Sequence, residues 1–204
     1  MRIALRSAFV ALTLVTAAAP AGADTSVYYH AGSWDAFTGP GSDGKTVCGI
    51  GSTFVGDNRS LSLRFSIGGD SVLFQAKKPN WNIPSGTSIP VVLQIGLDAP
   101  WNFQASGDGQ IVAWSLDRSS MQSFDAQFRR AMSMTVSFPS GNEPPWAMAL
   151  NGSTAISDAF GRCVTNLAQR TATQQAAPTQ PFSQSPTQPF AQEPQPSAAP
   201  ATHP

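Results

Sequence analysis

The sequence predicts a mainly β domain: an antiparallel β-sandwich or a curved, barrel-like sheet with two short helices, followed by a disordered C-terminal tail. Three observations carry that prediction. Apolar residues alternate with polar ones in segment after segment, the period of a strand with one buried face. Glycine, asparagine and aspartate separate those segments at hairpin spacing, in a chain with 17 glycines and 17 prolines. Helical spacing appears in only two places, residues 119–131 and the stretch that begins at Ser153.

Both ends of the 204-residue chain fall outside the predicted domain. Residues 1–23 hold Arg2 and Arg6, an apolar run over 8–19 and Ala21-Gly22-Ala23 as a small-x-small cleavage site, the pattern of a Sec-type signal peptide. The run is shorter than the ~20 residues that a span needs, so no membrane insertion is expected after cleavage. The protein is expected in the periplasm or secreted. Residues 171–204 are rich in proline and glutamine, and PTQPFSQS at 178–185 repeats as PTQPFAQE at 186–193. Such a tail cannot bury enough apolar surface to offset ordering, and it displays Phe182 and Phe190 as candidate recognition residues. The domain is therefore assigned to residues 24–170.

Within it, residues 28–37 read as a first strand carrying Trp34, closed by Gly39-Pro40-Gly41, and 46–52 as a second, carrying Cys48. Leu61, Leu63, Phe65 and Ile67 alternate with polar residues, and Gly68-Gly69-Asp70 turns the chain into a strand over 71–76. Residues 77–86, KKPNWNIPSG, read as a loop, and 89–97 return to strand with Pro90 near the start. Strands at 101–105 and 110–116 flank Ser106-Gly107-Asp108-Gly109, a hairpin signal. Met121, Phe124, Phe128 and Ala131 then share a helix face, and Ser119 with Gln122 matches a capping box. Met132 to Phe138 and Trp146 to Leu150 form a last hairpin through Ser140-Gly141-Asn142. From Ser153, residues Ala155, Ile156, Ala159, Phe160, Cys163, Val164 and Leu167 fall on one face of a helix.

Charge and cysteine content narrow the function. The chain has 12 basic and 12 acidic residues; losing the signal removes two basic ones and leaves a slightly negative remainder. That lacks the basic footprint of a nucleic-acid binder and the cationic face of a membrane-surface protein. Cys48 and Cys163 are the only cysteines, and an isolated pair in an exported chain predicts a disulfide. Only His30 remains inside the domain for base catalysis, and no hydrolase, zinc, dinucleotide or phosphate-loop motif is present. Neither a metal nor a cofactor is expected. Asp98, Asp108, Asp117 and Asp125 offer carboxylates for a small hydrolase, but each is explained by a turn or helix position.

The tryptophans are more informative. Trp34, Trp114 and Trp146 occupy strand positions and are assigned to the core. Trp81 and Trp101 sit at or beside loops next to Asn80, Asn82 and Asn102, an aromatic platform with amides that suits a sugar ring or a peptide. The same arrangement also serves to pin a loop to its own domain.

Trp34 ahead of Cys48-Gly49-Ile50, Pro84-Ser85-Gly86 ahead of the 89–97 strand, and FDAQFRRAMSMTVSFPSGNEPPWAMALNGSTAISDAF at 124–160 together resemble the invasion-associated locus B family of exported bacterial proteins. The closing positions of that resemblance are Leu150, Gly152 and Ala155 to Phe160. It implies a periplasmic or surface β-rich accessory domain, linked in some relatives to host-cell association, with no catalytic residues to carry over. The sequence thus points to a non-enzymatic envelope protein that binds an envelope or surface protein. The alternatives are a glycan-binding module using Trp81 and Trp101 and a small hydrolase using the aspartates.

Overall fold

The computed structural model describes residues 25–41 and 43–175. The expected signal peptide and the tail repeats with Phe182 and Phe190 lie outside these residues. The chain divides into two compact units, residues 1–165 and 166–204. The described part of the second is the final stretch of a helix.

Ten strands form one antiparallel sheet: β1 (Ser26–Ala31), β2 (Trp34–Pro40), β3 (Thr46–Thr53), β4 (Ser60–Ser66), β5 (Ser71–Lys77), β6 (Ile83–Ile95), β7 (Trp101–Gly109), β8 (Ile111–Asp117), β9 (Ser133–Ser137) and β10 (Trp146–Ala149). Their order across the sheet is β1-β2-β3-β4-β5-β8-β7-β6-β9-β10. The sheet is continuous and curls into a half-barrel, so of the two architectures expected it is the curved sheet that forms. Two helices accompany it, α1 (Met121–Arg130) and α2 (Ser153–Gln175).

The alternation read in the sequence decides which side faces inward. Leu61, Leu63 and Phe65 of β4, Val72, Phe74 and Ala76 of β5, and Val112, Trp114 and Leu116 of β8 are all buried. At the centre the Phe74 ring stacks on Trp114 at 5.4 Å and meets Phe124 of α1 edge-on at 5.3 Å. Phe128, one turn further on, packs edge-on against Trp34 at 4.9 Å. Burying a side chain of this size contributes about 1.5–3 kcal/mol, which is what holds α1 in the concave side of the sheet. Arg129 then ties the helices together: its guanidinium is 2.6 Å from Asp125 on its own helix and 2.6 Å from Asp158 on α2.

The curl brings the two ends of the sheet together. The Trp34 indole N–H donates to the Ala149 carbonyl at 3.1 Å, joining β2 to β10. At Gly32 a Cβ would lie 2.1 Å from the Asn151 carbonyl oxygen, and at Gly152 2.5 Å from that of Ala31; both glycines have positive φ, +63° and +87°. The first turn and the β10–α2 junction therefore meet backbone to backbone. Cys48 of β3 and Cys163 of α2 are bridged, with Cα atoms 5.9 Å apart, as the sequence predicts.

Several expected boundaries move, each for a local reason. The single strand at 28–37 is two strands, because Gly32 turns the chain at a φ that other residues resist. Ser106-Gly107-Asp108 is not a turn but paired strand, Gly107 opposite Val112; Ile83 and Ile89 side chains fill the space where a Gly107 Cβ would sit, and the turn falls at Gly109, with φ +56°. Asp108 is thus an exposed strand residue. β6 begins at Ile83, not 89, with a register shift between Ile83 and Thr87 that absorbs Pro84. Ser119 and Gln122 make no capping box: Arg118–Ser120 form a 3-10 turn, and Ser120 precedes α1 without a side-chain cap. Helix α2 continues past Arg170 to Gln175.

Two measurements check this frame. Because the bridge closes a 115-residue separation, its loss is expected to cost up to about 4–5 kcal/mol. Reduction should therefore lower the melting temperature by roughly 10 °C and expose two titratable thiols. Gly152→Ala should destabilise by more than about 2 kcal/mol, whereas Gly44→Ala, at a similar φ of +74° but with open space around it, should cost only the backbone strain of about 1 kcal/mol; paired denaturant melts compare them.

Candidate functional site

The connection from β5 to β6 places the site. The chain leaves β5, passes the β7–β8 turn and enters β6 three strands further on, crossing β8 and β7. The Lys78 N–H donates to the Gln110 carbonyl at 3.1 Å, and the Gln110 side-chain amide donates to the Pro79 carbonyl at 2.8 Å. This short segment carries Trp81 to the end of the half-barrel, facing the loop that runs from Phe138 to Glu143.

Between them lies a groove of about 470 Å³. Its apolar lining is Trp81, Ile83, Ile89, Val112 and Phe138, and its rim carries Asn80, Thr87, Ser88, Ser140 and Asn142. Trp81 stacks on Trp146 at 5.3 Å, and Phe138 meets both rings edge-on at 5.4 and 5.6 Å. On the far side of the cluster the Arg59 guanidinium lies 4.4 Å over the Phe54 ring and 5.3 Å from Trp146. Such contacts each contribute about 0.5–1.5 kcal/mol beyond burial, and together they fix the wall of the groove.

Glu143 is the residue that joins these parts. Its carboxylate receives Lys78 Nζ at 2.9 and 2.8 Å, the Trp81 indole N–H at 3.2 Å and the Trp146 indole N–H at 2.9 Å. The Lys78 and Glu143 side chains are only 15% and 14% exposed. Burial pushes the carboxyl upward, but the hydrogen bonds from Lys78, Trp146 and Trp81 outweigh it and hold the group below the usual glutamate range. Glu143 is thus a fixed anion with three donors, not a proton donor. Sequence reasoning missed both Glu143 and Lys78. One signal was available: Glu143 is the only glutamate before residue 193, and it stands three residues ahead of Trp146.

Of the residues singled out in the sequence, Trp81 and Asn80 line the groove, and Asn82 is exposed beside it. Trp101 is elsewhere. It pairs with Leu93, near the other end of β6 from Ile83, and its indole N–H donates to Gln127 of α1 at 2.8 Å. The structure therefore does not bring the two loop tryptophans together. His30 is exposed and sits 2.7 Å from Asp35. Asp98 and Asp125 are each held by an arginine, Arg130 and Arg129, at 2.6 Å, and none of the four candidate aspartates lines the groove. Among the described residues no three metal-ligating side chains gather, and no helix is long and apolar enough to cross a membrane.

Fold and groove together define a curled antiparallel β domain with an aromatic-walled cleft at one end. Neither a protein-family model nor a curated protein sequence matches the chain. Among solved structures it is similar to the crystal structure of invasion associated protein B from Bartonella henselae, with 20% identity over 69% of this chain and 99% of that one and a TM-score of 0.45. A likeness of that extent carries no residue role across.

Glu143→Gln tests the clamp. It leaves the Lys78 ammonium without its counter-charge and is expected to cost about 3 kcal/mol, with Lys78→Met/Glu143→Gln recovering part of the loss. Because the folded carboxyl titrates lower than the unfolded one, its contribution is complete above the ordinary glutamate pKa and is lost as pH falls through the folded value. The stability gap between wild type and Glu143→Gln should accordingly shrink as denaturant melts are moved from pH 7 towards pH 2.

Proposed function

We propose that the protein is an exported, non-catalytic envelope protein that binds an envelope or surface protein in the groove beside Trp81. One observation carries the reading: Glu143, the only carboxylate lining the groove, has its oxygens taken up by Lys78, Trp81 and Trp146. Acid–base or nucleophilic chemistry needs a group free to exchange a proton or attack, and this one is bound and ionised. What is left is a neutral cleft with apolar walls and an amide and hydroxyl rim, the composition of a binding site. The signal-like residues 1–23 and the bridge between Cys48 and Cys163 support export.

A second reading, a glycan-binding module, is favoured by one feature, the exposed amide of Asn80 beside the Trp81 ring. Trp101, committed to Gln127, is not part of that site.

Affinity capture from envelope extract with the intact chain and with Asn142→Arg, which places a long cation on the exposed rim, separates these readings from a structural role. Loss of one captured protein with Asn142→Arg, at unchanged melting temperature, is expected. Capture that ignores the substitution would remove the groove from the function, and quenching of Trp81 fluorescence by envelope oligosaccharides without protein capture would favour the glycan module.

A further inference from the structure

We propose that the groove takes an extended peptide segment, which adds as a strand to the open edge of β6. The inference rests on the groove-binding reading above and names its occupant. β6 has 13 residues and pairs with β7 from Thr87 to Leu93 without interruption, but β9 pairs with it only from Val92 to Ile95. Beyond Ser137 the chain departs into the Phe138–Glu143 loop, which becomes the opposite wall. The groove therefore occupies the place where β9 would have continued.

The direction of the main chain follows from alternation. The Gly96 N–H donates to the Ser133 carbonyl at 2.9 Å, so even-numbered residues of this stretch turn their N–H and carbonyl towards β9. Counting back through the unbroken register, Ser88 and Pro90 face the groove, and no main-chain partner meets them there among the described residues. Pro90 lacks an N–H, which is tolerated because the missing donor falls on the unpaired side. The edge thus offers the Ser88 N–H and the carbonyls of Ser88 and Pro90. That is sufficient for a short added segment and insufficient for a long ladder, which also guards the edge against self-association.

The surroundings favour a peptide over a sugar. One face of Trp81 is covered by Trp146 and Phe138 packs against the ring at right angles, so the ring is not an open two-faced platform for stacking. The floor of Ile83, Ile89, Val112 and Phe138 suits every second side chain of a strand. Because Lys78 and Glu143 neutralise each other, the fitting segment is uncharged, with apolar residues alternating with small polar ones.

The test pans a library of uncharged octapeptides of alternating apolar and polar residues on the purified full chain. A selected peptide is then made in two forms, N-methylated at the odd or at the even main-chain amides. Strand addition requires one form to lose roughly tenfold or more in affinity while the other binds normally, and requires slowed hydrogen exchange at the Ser88 amide. Ser88→Pro should produce the same tenfold loss at unchanged melting temperature; should it lower stability, the methylated peptides decide. Equal binding of both methylated forms overturns strand addition but leaves groove binding standing, since Trp81 fluorescence still responds. A library without binders, alongside binding of peptidoglycan oligosaccharides, overturns the peptide occupant alone. Binding of neither probe class overturns this inference, and the groove reading then stands or falls on whether Asn142→Arg abolishes capture from envelope extract.

Discussion

The structure depends on a close approach between two backbones, at Gly32 on one side and Asn151-Gly152 on the other. An open ten-stranded sheet has two edges and a concave face too wide to fill. Curling it until the first turn rests on the last junction answers the second problem, because the concave face then narrows to a space that Trp34, Phe74, Phe124 and Phe128 can fill. The approach is possible only without side chains, and the Trp34 indole bond to Ala149 registers it. The bridge from Cys48 to Cys163 lies on the same side of the chain's topology, joining an early strand to the closing helix. A backbone packing contact, a hydrogen bond and a disulfide therefore secure one closure.

The groove is a consequence of how that curl is finished. β9 is only five residues long, and the chain that leaves it must reach back to β10 through three prolines, Pro139, Pro144 and Pro145. Glu143 holds this return in place by drawing three donors from two segments, Lys78 and Trp81 of the β5–β6 connection and Trp146 of β10. Taking a carboxylate and an ammonium out of water is costly, and such a pair fixes geometry more reliably than it adds stability. Here the geometry it fixes is the position of Trp81 and the width of the cleft.

Local features of the fold were legible in the sequence. LSLRFS followed by Gly68-Gly69-Asp70 can hardly be anything but a hairpin arm, and of the alternating series Met132, Met134, Val136 and Phe138 the last three are buried, while Met132, ahead of β9, is exposed. The cysteine pair was legible from its isolation. What was hidden depends on distant partners. Gly107 reads as a turn residue by composition, yet it is strand because two isoleucines from β6 occupy its missing side chain. The placement of β5 beside β8 is set by a crossover that leaves no local pattern. Trp81 could be named as a candidate, whereas the role of Glu143 stayed hidden, since two of its donors lie more than sixty residues away. Trp101 looked equivalent to Trp81 and is not, because only the tertiary structure supplies Gln127.

The bridge has a consequence for the order of events in folding. Its two halves are separated by 115 residues, and the Trp34 contact to Ala149 by the same number. A chain made from its N-terminus can pair β4 with β5 early, since that hairpin is local. β2 and β3 must wait for β10 and α2 before their inner faces are fully covered, leaving Trp34 and Ile50 open to solvent until almost the whole domain has emerged. Closure is therefore a late, long-range step, and the unfinished N-terminal strands are the part of this protein that a chaperone would have most reason to hold.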